Sequence, residues 1–86
     1  MLKVWHDKAW KEYLAWQTKD KKILKRINDL LKDIDRQPYL GIGKPEPLKE
    51  NKQGYWSRRI DDVNRIVYKI AHDQIIIIQC GGHYDG

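Results

Sequence analysis

The sequence contains one cysteine, no phenylalanine and no long apolar run. Because Cys80 is alone, the chain cannot form an internal disulfide. The longest strongly apolar stretch covers residues 75–78, far short of the roughly 20 residues that cross a bilayer. Residues 1–7 also lack the apolar core of a secretory signal peptide. We therefore expect a cytoplasmic protein that does not enter a membrane.

Histidine is scarce as well, and its positions disfavour metal binding. His6, His72 and His83 are far apart, and no pair of them has the spacing of zinc ligands. The single Cys80 brings no second sulfur ligand with it. The sequence therefore predicts neither a metal site nor any other cofactor.

The chain does contain an excess of basic charge and many amphipathic aromatic residues. Lys and Arg number 17 against 12 Asp and Glu, which gives a formal net charge of +5. This excess favours RNA, DNA or an acidic protein as a partner, although solvated lysines give the same count. All aromatic residues are Trp or Tyr, whose polar tips can face a ligand or water. With 86 residues there is room for one hydrophobic core, so we expect a single domain over residues 1–86.

Two helices are predicted in the first half of the chain. Residues 2–5 can form an edge strand, after which Asp7 offers a side-chain oxygen to cap a helix over residues 8–17. That helix should pack a wide aromatic face inward, formed by Ala9, Trp10, Tyr13, Leu14 and Trp16. Residues 20–36 predict a second helix with a charged outer face. Its apolar stripe consists of Ile23, Leu24, Ile27, Leu30, Leu31 and Ile34.

The second half of the chain predicts a sheet. Residues 37–47 hold all three prolines and two glycines, so they form a shaped loop. Residues 55–60, 65–70 and 75–80 are predicted as strands, the last of them central because residues 75–78 are all isoleucine. In the middle strand, alternation sends Ile66 and Tyr68 towards the helices and Arg65 to the open face. The expected fold class is α+β, with two N-terminal helices packed on a twisted antiparallel sheet.

The open sheet face is the candidate site, and its residues can be compared with the requirements of metal-free RNA cleavage. That reaction uses the neighbouring 2′-hydroxyl as nucleophile and needs a base, an acid and cations around the phosphorane. Glu46 lies between two prolines that stiffen the backbone, so its carboxylate is a candidate general base. The imidazole of His83 is a candidate general acid. Ordinary surface positions for Glu46 and His83 are the alternative, and Tyr84 either contacts RNA or closes the core.

Basic residues near this carboxylate can bind phosphate. Arg58 and Arg59 point to opposite faces of their strand, so only one of them can join Arg65, and we expect it to be Arg59. The planar guanidinium of Arg65 can hold two phosphate oxygens and stabilise developing charge. Lys44 and Lys49 can add phosphate contacts, although solvated lysines are the more common explanation.

The order of residues also resembles a known family over almost the whole chain. The most specific likeness lies in residues 41–49 (Gly-Ile-Gly-Lys-Pro-Glu-Pro-Leu-Lys) and 54–60 (Gly-Tyr-Trp-Ser-Arg-Arg-Ile). The other matching positions are Trp5, Trp10, Tyr13, Trp16, residues 65–68, His83 and Tyr84. On these residues the chain resembles the YoeB family of toxins, within the wider RelE group of bacterial toxin–antitoxin systems.

The resemblance implies an activity and a set of site residues. It implies a microbial RNase fold of the RelE type and ribosome-dependent cleavage of mRNA in the A site. Glu46 then matches the family's general base, and Arg65 matches the arginine that stabilises the transition state. His83 matches the general acid, and Tyr84 matches the aromatic residue that orients the substrate.

The resemblance also implies partners. Lys49 and Arg59 match accessory phosphate-binding positions, so the ribosome and mRNA are expected partners. An antitoxin of the YefM type is expected to neutralise the toxin. A homodimer is expected from the family and from the aromatic-rich helical surface, which is apolar enough to favour association.

One position departs from the family pattern. Gly81 stands where similar toxins commonly carry a basic residue, and Gly82 follows it. A contact with phosphate or ribosomal RNA is then missing, and two adjacent glycines raise the entropy lost when His83 is positioned. We expect weaker activity than is typical of the family, and we expect Gly81→Arg to increase cleavage.

Two other interpretations stay open. The basic face can belong to a non-catalytic binder that blocks translation by occupying the ribosome or RNA. In that case Glu46→Ala and His83→Ala leave inhibition intact. The exposed groove can also be mainly a binding surface for an antitoxin segment, which is compatible with an enzyme.

Overall fold

The computed structural model describes residues 1–82, which form two helices and a five-stranded sheet. The helices are α1 (Asp7–Lys19) and α2 (Lys21–Arg36). The sheet has the order β1-β5-β4-β3-β2, and the expected α+β class is confirmed. The strands are β1 (Leu2–Trp5), β2 (Glu46–Pro47), β3 (Trp56–Arg59), β4 (Arg65–Ala71) and β5 (Gln74–Cys80), with a 3₁₀ turn at Glu50–Lys52.

The sheet is antiparallel except at β1. Strand β1 pairs in parallel with β5, with Leu2 opposite Gln74 and Trp5 opposite Ile77, whereas the other pairs are antiparallel. Because most of the chain separates β1 from β5, no hairpin turn forces them to run in opposite directions. The expected edge position of β1 and interior position of β5 are both confirmed.

The two helices begin differently. Asp20 caps α2, since its carboxylate accepts hydrogen bonds from the backbone N–H groups of Lys22 (3.0 Å) and Ile23 (3.2 Å). At α1 the cap position is His6, and no side chain caps that end. The expected cap by Asp7 is therefore wrong, and Asp7 instead lies in the first turn, where the helix dipole favours a negative charge.

Helix α1 buries a narrower face than expected. Ala9 is fully buried and Tyr13 and Trp16 pack on the core, but Trp10 and Leu14 are 44% and 43% exposed. The last two lie on the flank of the helix, because the sheet covers only one stripe of it. Neither helix among residues 1–82 combines the length and apolar character that crossing a membrane requires.

The hydrophobic core lies between the helices and one face of the sheet. Strand alternation directs Ile66 and Tyr68 of β4 into this core, as expected. The predicted stripe of α2 supplies much of the other side. The buried apolar cluster contains Ala9, Ile27, Leu30, Leu31, Ile34, Ile60, Ile66, Tyr68, Ile75, Ile77 and Cys80.

The open face of the sheet carries charged side chains at its margins and buried side chains at its centre. Arg65 and Lys69 of β4 are half-buried, whereas Val67 between them is fully buried although it points away from the helices. Ser57, opposite Val67 on β3, is only 8% exposed. The small side chains at the centre therefore form the floor of the face, and the long basic side chains form its margins.

Candidate functional site

The sheet register brings three charged side chains onto the open face. Glu46 lies opposite Ser57, and Arg59 lies opposite Arg65. Arg58 is fully buried on the helix side, so alternation sends Ser57 and Arg59 to the open face. Directly opposed residues share a face, so Glu46 and Arg65 lie there too. The backbones of β2 and β4 are about 10 Å apart across β3, within reach of long side chains.

Arg65 is held at the turn between β3 and β4. Its Nη1 donates to the carbonyl oxygens of Asp61 (2.8 Å) and Asn64 (3.2 Å). The Asp61 carboxylate shapes this turn by accepting from the backbone N–H groups of Val63 (2.9 Å) and Asn64 (2.6 Å). The hydrogen bond from Asn64 does most to lower the pKa of Asp61, against the opposing effect of burial. Within residues 1–82 only Nη1 of the guanidinium is bonded, which leaves its other N–H groups available to an anion.

The end of β5 is tied to the same turn. The Arg65 N–H donates to the Gly82 carbonyl (2.9 Å), and the Gly81 N–H donates to the Arg65 carbonyl (3.0 Å). The Gly82 N–H donates to the Asn64 side-chain oxygen (2.7 Å). The chain therefore continues towards residue 83 from a point beside Arg65. The predicted site residues His83 and Tyr84 lie outside the described residues.

Arg58 anchors the loop that leads from α2 to Glu46. This side chain is fully buried, as the choice of Arg59 for the open face required. Each of its five N–H groups donates a hydrogen bond, which is the full capacity of a guanidinium. The acceptors are Tyr68 Oη (3.1 Å), Asp33 Oδ2 (2.5 Å) and the carbonyl oxygens of Ile42 (3.2 Å), Gln37 (2.7 Å) and Leu40 (2.7 Å).

Asp33 is the negative partner of this arginine. Burial acts to raise the pKa of Asp33, but hydrogen bonds from the side chains of Gln37 and Arg58 and from the Ile42 N–H outweigh it. The net result is a pKa well below the usual range, so the carboxylate is charged at neutral pH. Arg36 also donates to Asp33 (3.1 Å), but it does so from an exposed position. A charged Asp33 thus neutralises Arg58 and fixes the loop backbone at Ile42.

Two glycines allow this loop to pack against the buried pair. Gly41 has φ +120°, and a Cβ atom there would overlap the Asp33 carboxylate. Gly43 has φ +81°, and its Cβ would lie 2.8 Å from Leu30 Cδ2 and 3.0 Å from the Arg59 carbonyl oxygen. The Gly43 carbonyl in turn accepts a hydrogen bond from the Arg59 N–H (2.6 Å). The loop therefore approaches the core too closely for any side chain at these two positions.

The loop presents its charged residues outward. Lys44, Glu46 and Lys49 are all exposed. Lys44 has φ +51°, a left-handed conformation that costs a non-glycine residue about 1 kcal/mol or more. It directly precedes Pro45, so the backbone that carries Glu46 enters β2 in a restricted conformation. Strand β2 lies at the edge of the sheet, so none of the described strands pairs with its outer side. The missing N–H of Pro47 therefore removes no hydrogen bond there.

The sequence analysis did not identify the Arg58–Asp33 pair or the short strand β2. Asp33 borders the apolar stripe of α2, and an acidic residue beside buried leucines and isoleucines indicates a buried cationic partner. Arg58 faces the core once Arg59 is placed on the open face. These two signals together could have identified the pair. Nothing in a segment with three prolines indicated the pairing of β2.

The arrangement suits a reaction on an anion. An exposed carboxylate and two arginines share one face, and the exposed Lys44 and Lys49 flank the carboxylate. Arginine binds phosphate oxygens in a bidentate manner, while a nearby carboxylate can accept a proton. Among residues 1–82, no group of three or more His, Cys, Asp or Glu side chains is placed to hold a metal ion.

Comparisons with known proteins agree with this architecture. A family model described as YoeB-like toxin of bacterial type II toxin–antitoxin system matches residues 5–84. Toxin YoeB of Escherichia coli (strain K12) is 49% identical over 84 residues, which cover 98% of this chain and 100% of that protein.

Solved structures of toxins have the same fold as this chain. A YoeB/ParE toxin from Agrobacterium tumefaciens has a TM-score of 0.95 at 43% identity, covering 98% of this chain and 100% of that one. A YoeB dimer from Staphylococcus aureus gives 0.92 at 45% identity over 98% of each chain. A heterotetrameric YoeB–YefM complex from S. aureus gives 0.90 at 45% identity, over 98% and 99%. These neighbours confirm the expected RelE-like fold, and the chain belongs to the YoeB-like toxins of bacterial type II toxin–antitoxin systems.

Proposed function

We propose that this toxin is an endoribonuclease that cleaves mRNA in the ribosomal A site without a metal ion. The observation that carries the proposal is the register that sets Glu46, Arg59 and Arg65 on one open face. The Arg58 anchor supports it, because a general base acts well only when its backbone is held in place. Family membership adds the expectation that the ribosome supplies the substrate.

The proposed reaction begins at the ribose. Glu46 removes the proton from a 2′-hydroxyl, whose oxygen attacks the adjacent phosphorus. Arg65, with Arg59 beside it, stabilises the negative charge that grows on the phosphate oxygens. His83 donates a proton to the departing 5′-oxygen, and Tyr84 orients the substrate. The products are a 2′,3′-cyclic phosphate and a 5′-hydroxyl, so no water is consumed in this step.

Accessory contacts hold the RNA on either side of the scissile bond. Lys44 and Lys49 are exposed and flank Glu46 in sequence, so their ammonium groups can bind neighbouring phosphates. Their role is electrostatic and does not select a base. Loss of either lysine should therefore weaken binding without moving the cleavage position within the codon.

We also propose an antitoxin of the YefM type as the neutralising partner and a homodimer as the assembled form. The S. aureus relatives form a YoeB dimer and a YoeB–YefM complex. The net charge of +5 and the exposed Trp10 and Leu14 support association with an acidic, amphipathic segment. Light scattering of the free toxin, and of the toxin co-expressed with such an antitoxin, tests both assemblies. A monomer at micromolar concentration would contradict the dimer.

The function is tested by primer extension on a defined mRNA bound to programmed ribosomes. We compare the wild type with Glu46→Gln, which keeps the shape of the side chain but removes its basicity. Glu50→Gln is the matched control, because Glu50 is an exposed carboxylate only four residues away in the 3₁₀ turn. Cuts at the A-site codon should persist in the control and fall by about 10²-fold or more in Glu46→Gln.

The opposite outcome has a clear meaning. If the wild type makes no cuts while it and Glu46→Gln inhibit translation equally, the protein is not a nuclease. It would then act as a non-catalytic binder that occupies the ribosome.

A further inference from the structure

Two lysines differ from all the others in the chain. Every lysine lies within the described residues, and every one is exposed except Lys52 and Lys69, which are half-buried. Within residues 1–82 neither of these two forms an ion pair with a carboxylate. The stems of these two lysines are packed, and their charges have no carboxylate partner among the described residues, so an anion from outside can bind them.

Both ammonium groups lie against one aromatic ring. Lys52 Nζ is 5.9 Å from the centroid of Tyr55, and Lys69 Nζ is 5.5 Å from it. The electron-rich face of the ring attracts each cation. An anion bound near the ring would interact with both ammonium groups.

A cavity beside Tyr55 offers room for such an anion. Its volume is about 290 Å³. No carboxylate lines it, and two of its lining residues are lysines, of which Lys8 pairs with Glu12 at 3.8 Å. The lining consists of His6, Lys8, Lys52, Tyr55, Ile78 and Gln79. We call His6, Lys8, Lys52, Tyr55 and Lys69 the Tyr55 patch.

The Tyr55 patch lies on the same open face as the candidate site. Lys69 and Arg65 are four residues apart along β4, so alternation places them on one side, and Tyr55, which directly precedes β3, contacts Lys69. Four residues of strand correspond to about 13 Å. On β3 and β4, Ser57 and Val67 lie between the two ends, and both are buried.

We propose that the Tyr55 patch binds the phosphodiester backbone of single-stranded RNA that continues from the candidate site. The inference rests on the proposed function, since it takes RNA as the ligand of that site. Cations and an aromatic ring along one surface are features with which proteins hold single strands irrespective of sequence. Lysine suits this role because it acts as a point charge on phosphate. An acidic protein segment is the less favoured ligand, because the buried Ser57 and Val67 between the two ends expose little apolar surface for it to cover.

Salt-dependent binding tests the proposal. We measure the fluorescence anisotropy of a labelled single-stranded RNA of about 12 nucleotides, fully 2′-O-methylated so that it cannot be cleaved. The variant is Lys52→Gln with Lys69→Gln. The matched control is Lys21→Gln with Lys22→Gln, which removes the same charge from exposed positions at the start of α2 on the other side of the sheet. The slope of log K against log salt concentration should decrease by about 0.7 for each patch lysine and stay unchanged in the control.

Two substitutions of Tyr55 test the role of its aromatic ring. Tyr55→Phe keeps the aromatic face and should retain the wild-type affinity for RNA, whereas Tyr55→Leu should lose the ordering of both lysines and bind several-fold more weakly. Equal slopes for the patch variant and the wild type would overturn the proposal. So would a wild type that binds poly-glutamate, but not RNA, through these lysines, which would make the patch a protein-binding surface. Because the RNA is uncleavable, failure here leaves the primer-extension test of the nuclease untouched.

Discussion

Arg58 Nη1 lies 2.5 Å from Asp33 Oδ2 in the protein interior, and this ion pair joins helix α2 to the loop that ends at Glu46. The same guanidinium binds carbonyl oxygens of that loop at Gln37, Leu40 and Ile42. The backbone before Glu46 is therefore fixed from inside the protein rather than by surface contacts.

Removal of the carboxylate should be strongly destabilising. Asp33→Ala leaves Arg58 buried without its counter-charge, and breaking a buried pair in this way costs about 3–5 kcal/mol. Arg36→Ala is the control, because Arg36 also contacts Asp33 but is exposed, so its loss should cost no more than about 1 kcal/mol. Urea unfolding measures both values. Similar midpoints for the two variants would show that Arg58 does not depend on Asp33.

Asp33 should also contribute to the change in the free energy of unfolding with pH. The pKa of Asp33 in the folded state is lowered below the unfolded value of about 3.9. The ionised carboxylate therefore stabilises the folded state in full above that pH. The contribution disappears as the pH falls through the folded-state value. Asp33→Asn should therefore lose less stability than the wild type between about pH 7 and pH 3. Asp29→Asn, at an exposed ion pair with Lys25, should follow the wild type closely in the same denaturant titrations.

Alanine substitutions at two glycines can distinguish the cost of backbone strain from the cost of steric overlap. Gly41 and Gly54 both have positive φ, so alanine at either position costs about 1–2 kcal/mol. At Gly54 the nearest atom to a new Cβ is Lys69 Cε at 3.9 Å, whereas at Gly41 the Cβ would overlap Asp33. Gly41→Ala should therefore destabilise by a further 1–3 kcal/mol or so. Equal melting temperatures for the two variants would contradict the close approach of the loop to Asp33.

Cys80 should be chemically inert in the native protein. Burial raises the pKa of Cys80 to about 12, and the nearby Glu12 carboxylate acts in the same direction. Little thiolate is then present at neutral pH, and a disulfide-exchange reagent should react only after denaturation. Because Cys80 is the only cysteine, absorbance of the released thiol product reports this site alone. Rapid reaction under native conditions would indicate that the end of β5 opens readily.

Gly81→Arg combines a new cation with a strained backbone. Gly81 is buried with φ +146°, and a Cβ there would lie 3.2 Å from Trp16 Nε1. Gly81→Ala introduces the same strain without the charge, so it is the proper reference for the arginine. Ribosome-dependent cleavage should be faster for Gly81→Arg than for Gly81→Ala if a basic residue supplies the missing phosphate contact. Equal rates would show that the departure from the family pattern does not limit activity.

Much of the fold could be predicted from the sequence, because the relevant patterns are local. The apolar stripe of α2 and the alternation in β4 each indicate which face of the element packs on the core, and both faces were predicted correctly. Strand β1 was recognised, but its parallel pairing depends on where a distant segment lies. The exposure of Trp10 and Leu14 depends on how much of α1 the sheet covers, which spacing within one helix does not specify.

The candidate site was predictable to a similar degree. Strand alternation showed that only one of Arg58 and Arg59 could join Arg65, and the structure places Arg59 opposite Arg65 and buries Arg58, as expected. The pairing of Glu46 with Ser57 was not predictable, because a proline-rich segment carries no periodic pattern. The Tyr55 patch also depends on three-dimensional packing, since Lys52 and Lys69 are 17 positions apart along the printed sequence.

The pairing of β1 with β5 has a consequence for synthesis of the toxin. During synthesis, β1 must wait for β5, the last of the described strands, before it finds its neighbour in the sheet. Contacts between such distant segments form late, because a long loop must close before they can stabilise the fold. A partly synthesised chain consequently lacks the completed sheet, and with it the firm support beneath Glu46 and Arg65. Assembly of the candidate site therefore depends on β5 being available, which places it late in folding.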